Sequence, residues 1–283
     1  MRANLDTPQA AALKKEMSQL TPEQVKPFIE ELQLVSNYSH GTHVAGILLA
    51  GNPYARLVVG RKTFDHTRIP DPCPSRSWAE RLAESEHDFV NFFKRNGVRV
   101  VNMSWLASVG EFERRLELCG LGGSAEERKK MARELFEIRK KGLEKAMTSA
   151  PGILFVAAAG NAANDATFNE IVPSRLRLPN LITAGAVDQA GDEARFTSYG
   201  PTVVAHANGY LVESYIPGGT KLKMSGTSMA APNVANLAAK ILAVNPKLTP
   251  PRVIEIIRTT ADKTEDGRRF LINPRKAVAA AQN

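Results

Sequence analysis

The strongest constraint on the fold is a turn of small residues that leads directly into a long apolar run. Residues 224–233 read MSGTSMAAPN, and the apolar run continues to residue 244. This pattern predicts a buried helix beginning near Ser228, with Pro232 in its first turn, where no N–H donor is needed. The Ser228 hydroxyl would then lie near free backbone N–H groups, which stabilise negative charge. Taken alone, Ser228 fits a helix N-cap better than a nucleophile.

Two other glycine-rich junctions change that interpretation. Residues 40–46 read HGTHVAG, and an apolar run at residues 156–161 ends in Gly-Asn. A histidine base, an asparagine amide that binds an oxyanion and a serine nucleophile are the groups that nucleophilic acyl transfer requires. The sequence therefore predicts His40 as general base, Asn161 as oxyanion donor and Ser228 as nucleophile.

Four stretches resemble those of subtilisin-like serine proteases and occur in that family's order. They are residues 39–46 (SHGTHVAG), 101–104 (VNMS), 158–161 (AAGN) and 226–232 (GTSMAAP). The resemblance covers roughly residues 36–280. It implies an α/β fold of three layers, with a mostly parallel sheet and helices on both faces. It also implies that the chain hydrolyses peptide bonds through an acyl-enzyme on Ser228.

The same resemblance places the polypeptide substrate along one edge of the chain. It implies substrate contacts from Ser104, Trp105, Gly160 and Thr227. The family usually has two glycines where this chain has Leu106 and Ala107. Bulkier side chains there predict narrowed pockets on the acyl side of the scissile bond, with a preference for small side chains or a restricted substrate.

The family's triad also needs a carboxylate, which lies before the histidine in the chain. Asp6 is the only aspartate before His40, and its separation suits the shorter members of the family. Its setting does not fit, because only five residues precede it and Pro8 stands where the family has glycine. We expect the acid on a strand upstream of Met1, which would leave the sheet without a central strand. The alternative is a catalytically weak pseudoprotease that binds peptides or proteins.

The chain divides into a helical N-terminal segment, residues 1–35, and a catalytic domain, residues 36–283. A helical insertion lies around residues 107–148 of that domain. Its lysines and arginines alternate with glutamates, which is typical of a solvated helical face. A docking surface for a partner or an upstream domain is the alternative.

Composition excludes several other classes of protein. The net charge is +8, but the cations are interleaved with glutamates, so a nucleic-acid partner is not expected. No apolar run is long enough to span a membrane. The first residues lack the apolar core of a signal peptide, which predicts a cytoplasmic chain as it stands, or a secreted or envelope protein if upstream sequence is missing.

Cofactors and metals are not expected either. The pair His40 and His43 lacks both an intervening glutamate and a third ligand. Residues 50–56 contain no carboxylate, so the calcium loop of many family members is not expected. Cys73 and Cys119 lie far apart in sequence; one disulfide between them is conceivable, but two free thiols are expected. Residues 57–60 (LVVG) predict a buried strand.

Overall fold

The computed structural model describes residues 8–166 and 170–282. Its helices are α1 (Pro8–Ser18), α2 (Pro22–Leu49), α3 (Arg76–Arg95), α4 (Val109–Leu118), α5 (Ala125–Thr148), α6 (Thr227–Val244), α7 (Pro250–Thr260) and α8 (Pro274–Ala280). Its strands are β1 (Val100–Met103), β2 (Ala107–Ser108), β3 (Leu154–Ala158), β4 (Ile171–Val172), β5 (Leu181–Val187), β6 (Val203–Asn208), β7 (Val212–Tyr215), β8 (Lys221–Met224), β9 (Asp262–Lys263) and β10 (Phe270–Leu271).

Six of these strands form the central sheet, in the order β1-β3-β5-β6-β10-β9. Neighbouring strands pair in parallel except β9 and β10, which pair antiparallel. Two short antiparallel pairs, β2–β4 and β7–β8, lie outside this sheet. The predicted α/β fold with a mostly parallel sheet is confirmed.

Strand β3 shows why helices cover both faces of the sheet. All five of its residues are buried, and successive side chains of a strand point to opposite faces. Leu154 and Val156 belong to a core formed with α6, α7 and α8. Phe155 and Ala157 belong to a second core formed with α3, α4 and α5. The result is the predicted three-layer arrangement.

The helices predicted as an insertion contribute to this second core. Four of their large side chains are almost completely buried there: Phe112, Leu116, Phe136 and Leu143. Their charged residues remain on the outer face, as in the ion pair between Glu137 and Lys140. The predicted docking surface for a partner or an upstream domain on these helices stays a prediction.

Helix α2 continues from the predicted N-terminal segment into the predicted catalytic domain. A single helix of 28 residues runs through Pro27, His40 and Gly41. It starts with a capping box, in which the backbone N–H of Thr21 donates to the side-chain oxygen of Gln24 at 2.9 Å. Pro27 is exposed, so water can satisfy the carbonyl that loses its helical donor. Despite its length, neither α2 nor any other described helix is apolar enough to cross a membrane.

The predicted strand at residues 57–60 is wrong. This segment is extended but pairs with no described strand, and Leu57 and Val59 are 41% and 66% exposed. A strand exists only when a neighbour accepts its hydrogen bonds, and apolar composition alone does not provide that neighbour. Among the described residues, β1 and β9 are therefore the two edge strands of the central sheet.

The expectation of two free thiols is also wrong. Cys73, in the loop before α3, forms a disulfide with Cys119 at the end of α4, with their Cα atoms 6.0 Å apart. Their separation of 46 positions in the sequence hides this proximity. The disulfide fastens α4 to the start of α3.

We predict that this disulfide stabilises the fold. Closing a loop of this length restricts the unfolded chain and contributes about 2–4 kcal/mol. Dithiothreitol should therefore lower the free energy of unfolding measured in urea by that amount. The double variant Cys73→Ser/Cys119→Ser should have the lower stability at the outset and show no response to the reductant. An equal response of variant and wild type would contradict the assignment.

A buried histidine in β6 predicts a pH dependence of stability. His206 is 4% exposed, and its Nδ1 accepts the backbone N–H of Phe270 at 3.2 Å. Burial, together with the positive charges of Arg269 and Arg268, lowers the pKa of His206 from 6.5 to about 4. Between these two pH values, His206 is protonated in the unfolded chain but not in the folded chain.

Because the folded pKa is the lower one, the stabilisation is complete above pH 6.5 and is lost as pH falls towards 4. The loss should reach up to about 3 kcal/mol at full protonation of the unfolded state. Urea titrations between pH 7 and pH 4.5 should show this decline for the wild type. The decline should be shallower for His206→Gln but unchanged for His87→Gln, a histidine on α3. Equal slopes for all three proteins would refute the prediction.

Candidate active site

Ser228 lies in the first turn of α6, at the position expected of a nucleophile. It is the second residue of the helix and is half-buried. Its hydroxyl donates to the backbone oxygen of Ser104 at 3.3 Å. In this turn the N–H of Thr227 donates to Asn161 and that of Met229 to the carbonyl of Gly226, and the N–H of Ser228 lies between them at the positive end of the helix dipole. Negative charge that develops beside Ser228 is therefore stabilised by the backbone.

Pro232 has a different role from the one predicted. It lies inside α6, as the sixth residue of the helix rather than in the first turn. A proline there cannot donate to the carbonyl four residues earlier, which is that of Ser228. The hydroxyl of Ser104 donates to this carbonyl instead, at 2.8 Å. Asn102 in turn donates to the Ser104 hydroxyl at 2.9 Å. Ser104 and Ser228 are thus joined by two hydrogen bonds of opposite direction, which connect the end of β1 to the start of α6.

Asn161 follows β3 and is held in one orientation. Its side-chain oxygen accepts from the backbone N–H of Thr227 at 2.8 Å and from the Thr227 hydroxyl at 2.9 Å. That hydroxyl also accepts the backbone N–H of Gly160 at 3.1 Å. Gly160 has a φ of +114°, a conformation that favours glycine. Because the amide oxygen is occupied, the Nδ2 group of Asn161 is the end that can donate to an oxyanion.

Helix α2, which contains His40, packs against the start of α6. His40 is half-buried and lies one turn before Val44 on the same face of the helix. Val44 and Ile47 form a buried cluster with Met229, the residue that follows Ser228. At the end of α2, Asn236 of α6 donates to the backbone oxygen of Leu48 at 2.7 Å. The two helices are thus docked side by side, and His40 lies one turn before the residues of α2 that contact α6.

His43 has a structural setting. Its side chain is completely buried, and its Nε2 lies 2.9 Å from the backbone oxygen of Leu222. Burial lowers the pKa of His43 and keeps the ring neutral. Its own carbonyl accepts the hydroxyl of Ser214 at 2.8 Å, which fastens α2 to β7.

Comparison with known proteins agrees with this arrangement. Residues 29–272 match the Subtilase family of peptidases, S8. The chain is a subtilase. It is 30% identical to the subtilisin of Bacillus pumilus over 225 residues, which are 79% of this chain and 70% of that protein. It has the same identity to subtilisin E of Bacillus subtilis (strain 168) over 225 residues, again 79% of this chain but only 50% of that protein.

A solved structure shows the same relationship. The crystal structure of a cold adapted subtilisin-like serine proteinase superposes with a TM-score of 0.57 and 25% sequence identity. The superposition covers 83% of this chain and 73% of the other. The chain therefore spans about 70% of some relatives and half of others, and it shares their fold.

The predicted substrate edge of the subtilase lies beside Ser228, but part of it is already paired. Ala107 and Ser108 form β2, which pairs with Val172 and Ile171 of β4. Ala107 is fully buried, so the residue that replaces a family glycine fills space next to the edge. Ser104 and Trp105 precede this pair and remain half-buried.

Two groups of residues were missed by sequence reasoning. Asn102 orients the hydroxyl of Ser104, and only its position two residues earlier in the chain could have indicated this contact. Lys62 and Arg139 lie against the ring of Trp105, and nothing in the sequence relates these distant positions. Asp6 lies outside the described residues. Among the described residues, no group of three or more His, Cys, Asp or Glu side chains could hold a metal ion.

We predict that the Thr227 hydroxyl stabilises the site as well as orienting it. In Thr227→Val the shape is kept, but the buried N–H of Gly160 loses its acceptor and Asn161 loses a donor. Leaving a buried donor unpaired costs about 1–3 kcal/mol. Urea denaturation should show that loss for Thr227→Val and a much smaller one for Thr227→Ser, which keeps the hydroxyl. Similar stabilities of the two variants would refute this role.

Proposed function

We propose that this subtilase is a serine endopeptidase that works through an acyl-enzyme on Ser228. The observation that carries the proposal is the fixed carboxamide of Asn161, which is bonded to Thr227 in the N-terminal turn of α6. Two donors of different origin, Asn161 Nδ2 and the backbone N–H of Ser228, would then bind the same oxyanion. Such preorganised donors are the main source of rate acceleration in acyl transfer.

The proposed reaction has two steps. In the first, Ser228 Oγ attacks the carbonyl carbon of the substrate while His40 takes the hydroxyl proton. The C–N bond breaks, and His40 returns the proton to the departing amine. In the second step, water attacks the acyl-enzyme and gives its proton to His40, which passes it to Ser228. The acid product leaves and the free enzyme is restored.

Before attack, the Ser228 hydroxyl has to exchange its present acceptor. It now donates to the Ser104 backbone oxygen, at a length typical of a weak hydrogen bond. Substrate that lies along Ser104 and Trp105 would use backbone groups of this edge in a β-strand arrangement. The hydroxyl is then released to donate to His40. Gly160 and Thr227 would line the opposite side of the substrate.

A fluorophosphonate probe tests whether Ser228 is activated. Phosphonylation requires a nucleophilic serine next to a base, so we expect labelling of the wild type. Labelling should disappear in Ser228→Ala and fall strongly in His40→Ala. Ser225→Ala, at the serine closest in sequence, should keep it. A folded wild type that is not labelled would support the alternative, a peptide-binding module without catalysis.

The same probe tests whether Asp6 is the carboxylate that would orient His40. An acid in this place holds the imidazole in the correct tautomer, and its loss costs about 10⁴-fold in turnover. If Asp6 is that acid, labelling should slow greatly in Asp6→Asn. Unchanged labelling in Asp6→Asn would exclude Asp6.

We predict that Asn161→Ala impairs the chemical step more than substrate binding. Its side chain would contact the oxyanion, which exists only after attack has begun. The kcat on a fluorogenic peptide should fall about 10²–10³-fold, the loss seen when such a donor is removed from subtilisin, and KM should change little. A variant with unchanged kcat would show that Asn161 only holds Thr227 in place.

A further inference from the structure

The ring of Trp105 carries two positively charged side chains. Lys62 Nζ lies 4.0 Å from the ring centroid, and the Arg139 guanidinium carbon lies 5.1 Å from it. The two cations come from different parts of the chain, the extended segment before α3 and helix α5. A cation at this distance over an indole face is attracted by the ring quadrupole. Trp105 therefore holds positive charge at this place.

A single carboxylate, Glu86 of α3, serves both cations. Its Oε1 accepts from Lys62 and, at 3.3 Å, from Arg139. Two positive charges thus face one negative charge. Arg139 Nε is buried and has no acceptor among the described residues. The cluster of Lys62, Glu86 and Arg139 is short of one acceptor and one negative charge.

The charges around this cluster do not remove the excess. Glu111 of α4 is the other acid that acts on Lys62. It is itself paired with Arg115 on the same helix, at 3.8 Å. The pair adds no net charge. The cluster therefore keeps one positive charge in excess.

Lys62 is the member of the cluster that an incoming group can reach. Its side chain is 18% exposed, whereas those of Glu86 and Arg139 are 6% and 7% exposed. Trp105 beside it is half-buried. Solvent, and hence a substrate side chain, approaches the cluster from the Lys62 side.

The cluster lies close to the nucleophile. Trp105 directly follows Ser104, whose backbone oxygen is 3.3 Å from Ser228 Oγ. A peptide paired with this edge places alternate side chains on its two sides. A side chain that passes Trp105 therefore meets Lys62 within a few residues of the scissile bond.

We propose that Lys62, held on the ring of Trp105, binds an acidic side chain of the substrate on the acyl side of the scissile bond. This inference rests on the proposed endopeptidase function and names its substrate class: peptides with Asp or Glu among the four residues before the cleaved bond. A carboxylate at Lys62 accepts a charge-assisted hydrogen bond from its ammonium group and balances the excess charge of the cluster. A glutamine side chain has the same shape as glutamate but lacks the charge, so peptides with Glu should bind more tightly than peptides with Gln.

The pH dependence follows from the surroundings of Lys62. Burial and the positive charge of Arg139 lower the pKa of Lys62 to about 8, against the opposing effects of Glu86 and Glu111. Lys62 is protonated below that pH and becomes neutral as pH rises through it. The preference for an acidic side chain should therefore be present at pH 7 and disappear by about pH 9.5.

The test uses peptides that differ only by Glu or Gln at one of the four positions. Their binding is measured by calorimetry to Ser228→Ala protein, which cannot cleave them, and their turnover is measured with wild-type protein. At one position, the Glu peptide should bind about tenfold more tightly at pH 7, as expected for one charge-assisted hydrogen bond. Adding Lys62→Met should bring that ratio to about one. Adding Lys130→Met, at an exposed lysine on α5, should leave the ratio unchanged.

A second variant guards against simple misfolding. Glu86→Gln removes a charge that raises the pKa of Lys62, so the preference for Glu should disappear at a lower pH than in the wild type, provided that thermal melting shows a folded protein. Equal binding of Glu and Gln peptides at all four positions, or no binding by folded protein, would overturn the inference. A Glu preference in binding with no cleavage by the wild type would instead refute the endopeptidase function. Cleavage of both peptides at equal kcat/KM would refute only the role of Lys62.

Discussion

The carbonyl group of Ser228 is the point on which the site depends. Pro232 denies it the usual helical donor, and Ser104 takes that donor's place. The same pair is joined in the other direction by the Ser228 hydroxyl. A missing hydrogen bond inside a helix is normally a cost. Here the carbonyl of Ser228 is left free to accept from Ser104, which joins the proposed nucleophile to the end of β1.

A second connection fixes Asn161, the proposed oxyanion donor. Asn161 and Gly160 follow β3, the neighbour of β1 in the sheet, and both are held by Thr227. The carboxyl ends of parallel strands lie at one edge of a sheet, which is where α6 begins. β1, β3 and α6 thus converge on one turn, and α2 is packed against that turn through Met229. The arrangement suits a reaction that needs donors in fixed positions before charge develops.

The sequence predicted those parts of the structure that depend on local patterns. The strand before Asn161 and the helix after Ser228 are continuous apolar runs flanked by glycine, so their type and approximate limits were clear. Pro232 was expected in the first turn of α6, where its missing N–H has no consequence, but the helix begins at Thr227, so the carbonyl of Ser228 loses a helical donor. Residues 57–60 have the composition of a strand, but their state is decided by a neighbour that no local pattern reveals.

Contacts between distant residues could not be predicted in this way. Cys73 and Cys119 are brought together by the packing of α3 and α4. Lys62 and Glu86 meet only because an extended segment crosses α3. Buried charges of this kind are costly unless they are paired, and the excess positive charge of this cluster near Ser228 is the reason to assign Lys62 to substrate recognition.

The most direct test of the central claim is a crystal structure of the chain after reaction with a peptidyl phosphonate. The two hydrogen-bond connections predict a phosphorus–oxygen bond to Ser228 Oγ. They also predict one phosphonyl oxygen about 2.7–3.1 Å from both Asn161 Nδ2 and the backbone nitrogen of Ser228. An adduct whose oxygens all point to solvent, or a peptide bound with Ser228 unmodified, would contradict the claim that these contacts build an oxyanion site.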